Sequence, residues 1–263
     1  MEEYYKLVAY ILGGIYGLCV GSFLNVVIYR LPLGMRLDKP RSHCPHCGYT
    51  LRARDNVPVL SYLFLRGRCH SCRAPISPRY TAVELLNMVL WLLSVHLFYD
   101  RGLVFACVVA LAASVMISVF FIDLAHMIIP DSLILSLLIL GGIGMFFDPE
   151  YAWHSHLIGL FVGFLFFYGV YALFYYGFHK EALGGGDIKL AAAAGLLLGW
   201  ERLILGLVLS SVSAALILLV ISRRSGAERD REYPFGPFLA VGFLLALYVG
   251  APIIRAYLGL LFR

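Results

Sequence analysis

The sequence predicts an all-α polytopic membrane protein of about eight transmembrane helices, with a small cytoplasmic cysteine-bearing domain between the first two. Three observations predict this class. The 263 residues are 61% hydrophobic and 14% charged, with a mean hydropathy of +0.83; soluble domains carry about 25% charged residues. Apolar runs long enough to cross a bilayer, which needs roughly 20 residues, recur along most of the chain. Residues 31–79 break that pattern, being basic, proline-dotted and rich in cysteine.

Eight helices are expected, at 6–30, 80–99, 102–123, 129–147, 154–178, 187–199, 202–222 and 236–261. The first follows MEEYYK, two glutamates before any lysine, and its apolar run is too long for a secretory signal, so it reads as a retained anchor. The sixth is short, and Trp200-Glu201-Arg202 is expected to separate it from the seventh. That segment is tilted, re-entrant, or one arm of a helical hairpin. Small residues crowd GLFVGF and AAAAGLLLG in the later helices, a composition suited to close helix packing in lipid. The charged loop at 222–234 reads as a solvated connector. The resulting division is 1–31 as a first transmembrane helix, 32–79 as the cysteine domain and 80–263 as the remaining transmembrane domain.

Lysine and arginine follow the cytoplasmic side of short loops. If 31–79 is cytoplasmic, that segment with its flanks and the loops at 178–189 and 222–234 holds 16 of the 21 basic residues. Lys6, Arg101, Arg202, Arg255 and Arg263 fall on the other side, beside the acidic FFDPEY at 146–151. The N-terminus is therefore expected outside, with Asp123, Asp131 and Asp187 at cytoplasmic helix ends.

Cys44 and Cys47 form one CxxC and Cys69 and Cys72 another, with 21 residues between the pairs. Two such knuckles complete a tetrahedral four-thiolate site, and Gly48 suits the turn after the first. Two disulfides would need an oxidising compartment, which the charge distribution argues against. The expected cofactor is a structural Zn2+, since four thiolates leave no open coordination position. Metal binding would supply folding energy to a domain with little core. His43, His46 and His70 read as solvent-exposed neighbours of the ligands, and Cys19 and Cys107 as packing residues inside apolar helices.

In LGGGDIKLA, Asp187 follows Gly184, Gly185 and Gly186. Glycines allow backbone conformations and close approaches closed to other residues, and an extended peptide can lie against such a loop. Asp187 alone reads as well as a helix cap. Asp131, directly after Pro130, reads as an ordinary helix start. Asp123, in SVFFIDLAHMIIPDSL, has no start signal around it and shares the membrane depth of Asp187. An ionisable residue in apolar surroundings is a functional candidate by default. Two paired carboxyls share a proton, one acting as base towards water and the other as acid. That chemistry needs no metal.

The aspartate of GGGD, the DLxxxxIPD segment, the two CxxC pairs, GSFLNVVIYRLP at 21–32 and ISPRYTAVELLN at 76–87 together resemble the type IV prepilin leader peptidases of bacteria. These are GxGD-type intramembrane aspartyl proteases. The motifs run in the family's order over most of the chain. The resemblance implies that Asp123 and Asp187 are the catalytic pair and that Gly184 and Gly186 are the motif's glycines. It implies cleavage of the basic leader of prepilins or pseudopilins, after a glycine, at the cytoplasmic side of their transmembrane helix in the bacterial inner membrane. It also implies methylation of the new N-terminus with S-adenosylmethionine. No nucleic-acid partner is expected, and membrane lipid surrounds the spans. Leader contact would fall to local acids such as Glu84, Asp131 or Glu181. Glu84 otherwise reads as an interfacial residue satisfied by Arg79, and Arg30 as a snorkelling arginine. The competing readings are a proton-coupled transporter with a regulatory zinc ribbon, using the two aspartates as a relay, and a membrane scaffold that leaves Asp123 unexplained.

Overall fold

The computed structural model describes residues 1–179, 183–225 and 233–261. Among these, the helices are α1 (Glu2–Arg30), α2 (Leu60–Phe64), α3 (Arg79–Phe98), α4 (Leu103–His126), α5 (Asp131–Phe147), α6 (Trp153–Phe178), α7 (Gly185–Leu198), α8 (Trp200–Ser225) and α9 (Gly236–Leu261). All eight expected membrane helices are present, and α2 is a short addition inside the cysteine domain. Six are long and apolar enough to cross a membrane: α1, α3, α4, α6, α8 and α9. No strand forms among the described residues; the only β pairing is the isolated bridges His43–Thr50 and Arg68–Pro75.

The chain divides into two compact units, Met1–Tyr99 and Asp100–Arg263. In the first, α1 and α3 pack along their lengths. Their approach is set by Gly17 and Gly21. A Cβ on either would stand 2.8 Å from the backbone of Met88 or Glu84, so only glycine permits this crossing. The buried Asn87 donates to Gly17 O at 2.7 Å across the same seam.

The second unit is the bundle α4–α9, in which α7 packs against α5, α6, α8 and α9. The two small-residue segments singled out in the sequence meet here. Gly159 of α6 lies backbone to backbone against Gly195 of α7, and Gly163 against Ala191. At 14 residues α7 is too short for a span: at 1.5 Å per residue it extends about 21 Å, against a core of about 30 Å. The expected separator Trp200-Glu201-Arg202 is instead the first turn of α8. The break is Gly199 alone, at φ +79°, a left-handed conformation that favours glycine.

Two further expectations are corrected. Arg30 does not snorkel: its side chain is buried and donates to Arg36 O, Leu37 O and Pro40 O. It ties down the chain leaving α1. Cys19 and Cys107 lie on exposed faces of their helices rather than in the packed interior. The charged loop at 222–234 falls largely outside the described residues.

Candidate active site and metal centre

Asp123 lies one turn before the end of α4, which continues to His126 and stops where Met127 adopts a left-handed conformation at φ 54°. The side chain is buried, with the residue 5% exposed. Asp187 occupies the third position of α7, and its backbone N–H donates to Gly184 O at 3.1 Å. Its carboxylate turns back to accept from the Gly184 N–H, so part of the capping role is present. The same carboxylate lies close enough to Asp123 for the two charges to repel. The bundle thus brings together two carboxyls that are far apart in sequence, on the ends of α4 and α7.

Gly236 is the residue that the sequence reading missed. It opens α9 in YPFGPF, and its backbone N–H donates to the Asp123 carboxylate. A Cβ on Gly236 would stand 2.5 Å from Asp123 Oδ2 and 2.8 Å from its Cγ. The carboxylate occupies the volume a side chain would need. A glycine between Phe235 and Pro237 at a helix start was the available signal, but it carries no charge to single it out.

None of the three glycines before Asp187 is required by its torsion angles: Gly184 is extended at φ −75° and none of the three has a positive φ. Gly186 sits against Ile129, whose Cβ would be 3.1 Å from an added side chain. Gly185 has open space around its Cβ direction. Asp131 begins α5, as expected of a helix start, and its carboxylate pairs with Lys189 of α7 at 2.7 Å, both side chains being exposed. Glu181 lies outside the described residues.

Glu84 belongs to the first unit. It is buried, and its carboxylate accepts from the Val59 N–H at 2.8 Å and from the Ser22 hydroxyl. Val59 holds φ 61°, an outlying conformation for a β-branched residue, at the start of α2. Glu84 therefore anchors the cysteine segment to α3.

Cys44, Cys47, Cys69 and Cys72 converge with all four sulfurs within 4.8 Å of one another. The Cys44–Cys72 and Cys47–Cys69 Sγ distances are 3.9 and 4.0 Å. Both are far beyond a disulfide bond of about 2.05 Å. They match the edge of a tetrahedron of thiolates around Zn2+, about 3.8 Å for Zn–S bonds of about 2.3 Å. Each CxxC sits at the tip of a minimal hairpin. Cys44 N–H donates to Tyr49 O and Gly48 N–H to Cys44 O; Cys69 N–H donates to Ala74 O and Arg73 N–H to Cys69 O. Gly48 at φ 70° and Arg73 at φ 60° hold equivalent left-handed positions.

The electrostatics of the cluster also suit a cation. The N–H groups of Cys72 and Ser71 bring the Cys69 thiol down to about 7. At Cys72 the Ala74 N–H pulls the same way, yet Cys47, burial and the remaining thiols push it up to about 11. Four sulfurs this close ionise together only around a positive charge. No histidine joins the ligand set: His70 stacks on Tyr49 at 5.9 Å between ring centres and lies 3.8 Å from Asp55.

Residues 15–98 match the model of the bacterial peptidase A24 N-terminal domain, and residues 110–219 match that of the type IV leader peptidase family. The chain belongs to the type IV leader peptidase family. A prepilin leader peptidase/N-methyltransferase of Legionella pneumophila is 38% identical over 97% of this chain and 96% of its own length. Proteins of the same description from Stutzerimonas stutzeri and Pseudomonas aeruginosa are 39% and 37% identical, each alignment covering 92% of this chain and 91% of the relative. No solved structure matches this chain. Membership removes the ground for the transporter reading.

Proposed function

We propose that this chain is a membrane aspartyl endopeptidase that cuts the basic leader from type IV prepilins or pseudopilins and then N-methylates the new terminus. The observation that carries the peptidase reading is the meeting of Asp123 and Asp187, on different helices, at buried or partly buried helix ends. Two adjacent carboxyls cannot both ionise without repulsion, so one holds a proton while the other is charged. The ionised carboxylate takes a proton from water as the oxygen attacks the scissile carbonyl carbon. The protonated partner donates to the carbonyl oxygen; as the C–N bond then breaks, the carboxyl that took the water proton passes it to the leaving amine, and the partner recovers its own from the hydroxyl of the tetrahedral intermediate. Gly236 N–H aims and holds the Asp123 carboxylate. Gly184, Gly185 and Gly186 leave room for an extended peptide beside Asp187.

The division of the chain proposed with this reading is a first transmembrane helix over 1–31, a four-cysteine metal domain over 32–79 and a transmembrane peptidase domain over 80–263. Cys44, Cys47, Cys69 and Cys72 would hold Zn2+, whose role there is to close the fold of the domain. S-adenosylmethionine is the methyl donor that the relatives' description implies for this chain; no residue is assigned to it. The skew of basic residues supports a bacterial inner-membrane protein with its N-terminus outside and its cysteine domain cytoplasmic. On that orientation both aspartates face the cytoplasm, where a leader would emerge from the bilayer.

The test uses the purified protein in detergent and a prepilin with a glycine at its cleavage site. Asp123→Asn and Asp187→Asn should each abolish cleavage with folding and metal content intact; cleavage surviving both substitutions would sink the dyad. Mass spectrometry of the cleaved terminus should show an added methyl group when S-adenosylmethionine is supplied. An unmodified amine after complete cleavage would remove the second activity.

A further inference from the structure

At the end of α7 remote from Asp187, a group of ionisable side chains is buried that the peptidase chemistry does not use. Asp148 follows α5 and its side chain is wholly buried; the Arg202 side chain is 2% exposed and that of His156 is 0% exposed. The Asp148 carboxylate accepts from the Arg202 guanidinium through one oxygen. His156 Nε2 stands 3.5 Å from that same oxygen, just beyond hydrogen-bonding distance. The other oxygen accepts from the N–H groups of Glu150 and Tyr151 at 2.9 and 3.3 Å. The Arg202 guanidinium also lies over the Tyr151 ring, 4.5 Å from its centre.

Both partners of Asp148 reach the last turn of α7. His156 Nδ1 lies 3.0 Å from Leu196 O; since a carbonyl only accepts, Nδ1 carries the proton. Arg202 Nε donates to Leu198 O at 2.7 Å. These are carbonyls that a helix end leaves without partners inside the helix itself. The turn beyond is pinned as well: Ser155 donates to Glu201 at 2.5 Å, and an added Cβ on Gly199 would stand 2.8 Å from Ser155 Oγ.

The largest contact of α7, with α6, gives little hold along the axis. Its contact with α6 runs through Gly195 and Ala191 against Gly159 and Gly163. Such surfaces come close but lack the ridges that interlock packed helices. A short helix on a smooth track needs its register set at an end. Asp187 lies about 17 Å from Leu198 along the axis, at 1.5 Å per residue.

We propose that Asp148, His156 and Arg202 form a buried clamp that fixes α7 along its axis and so sets the position of Asp187 at the other end. The proposal rests on Asp187 being catalytic, and makes His156 a positioning residue for it. His156→Ala removes the bond to Leu196 O, whereas His156→Asn places an amide nitrogen where Nδ1 was and restores it.

The experiment combines cleavage kinetics with hydrogen exchange read by mass spectrometry on the purified full chain. In His156→Ala, kcat should fall roughly tenfold, as expected for a small misplacement of a catalytic group, with KM within about twofold. Exchange in the peptide spanning 183–189 should quicken, and His156→Asn should recover both readouts. Unchanged exchange at 183–189 in His156→Ala would overturn the clamp, as would an equal defect in His156→Asn. Quickened exchange with unaltered cleavage would keep the clamp and count against Asp187 as the catalytic partner.

Discussion

Alanine at Gly159 tests whether the α6–α7 crossing is held at backbone contact. The added Cβ would overlap Gly195 O and stand 2.9 Å from Gly195 C and 3.0 Å from Gly199 C. Carbon atoms rest at about 3.5–4.0 Å, so the crossing must open by roughly 0.5–1 Å. Everything it meets is backbone within or just beyond α7, and no flexible side chain can move aside. Overpacking of this kind costs about 1–3 kcal/mol. Because α7 carries Asp187, a shift approaching 1 Å should also slow cleavage, by up to about 100-fold. Gly169, on the same helix, meets nothing within 4 Å. Gly169→Ala should be neutral or stabilise by up to about 1 kcal/mol through helix propensity. Thermal unfolding in detergent and cleavage rate, measured side by side, give the comparison. The double substitution Gly159→Ala with Gly195→Ala should cost less than the sum of the singles, because the first already opens the crossing. The reasoning is refuted if Gly159→Ala is indistinguishable from Gly169→Ala.

Gly236→Ala should reduce cleavage at least as severely as a conservative change at Asp123, since the carboxylate must leave the place where the Cβ lands; near-normal kcat would refute that geometry. Cys47→Ser should lower bound metal below about one ion per chain and unfold the cysteine domain. The metal assay checks the first, and exchange over 41–76 the second. Asp148→Asn leaves Arg202 buried without its countercharge and should cost about 3–5 kcal/mol in thermal unfolding. Burial opposes ionisation of Asp148, but His156, Arg202 and the Glu150 N–H hold its carboxyl below the usual range. Its contribution is therefore complete above about pH 4, the ordinary value for aspartate, and is lost as the pH falls through the lower folded value. Stability curves for the native chain and Asp148→Asn should converge in acid, separate as the pH rises towards 4 and keep a constant gap above it; a gap that does not shrink in acid would contradict this.

What the sequence discloses about this fold follows from what lipid demands. A membrane helix must be long and apolar, so the ends of α3, α5, α6 and α9 fall within two residues of expectation. Lipid tails are as apolar as leucine, however, so no face of such a helix is marked for its partner by hydropathy. Only the glycines of GLFVGF and AAAAGLLLG hinted at a partner, because small residues pack as backbone.

The aspartates stood out for the opposite reason. Asp123 has no ordinary explanation in SVFFIDL, and the cost of a carboxylate there is visible without a structure. Asp148 and Arg202 carry as large a charge but sit in short breaks between apolar runs, where an acidic turn and a basic residue look like solvated loop. Hydropathy along the chain cannot separate a charge facing water from one facing an opposite charge inside a bundle. The same blindness hid Arg30, which spends its donors on three backbone carbonyls. In such a chain, then, a charge inside a span announces itself, whereas a charge at a helix end is as apt to be buried as exposed. The arginine and lysine tally gains from this distinction. Arg101 and Arg255 reach Glu150, and Arg202 reaches Asp148. Three of the five basic residues on the side proposed to face away from the cytoplasm are thus matched by acids of one loop, which supports the orientation proposed from the others.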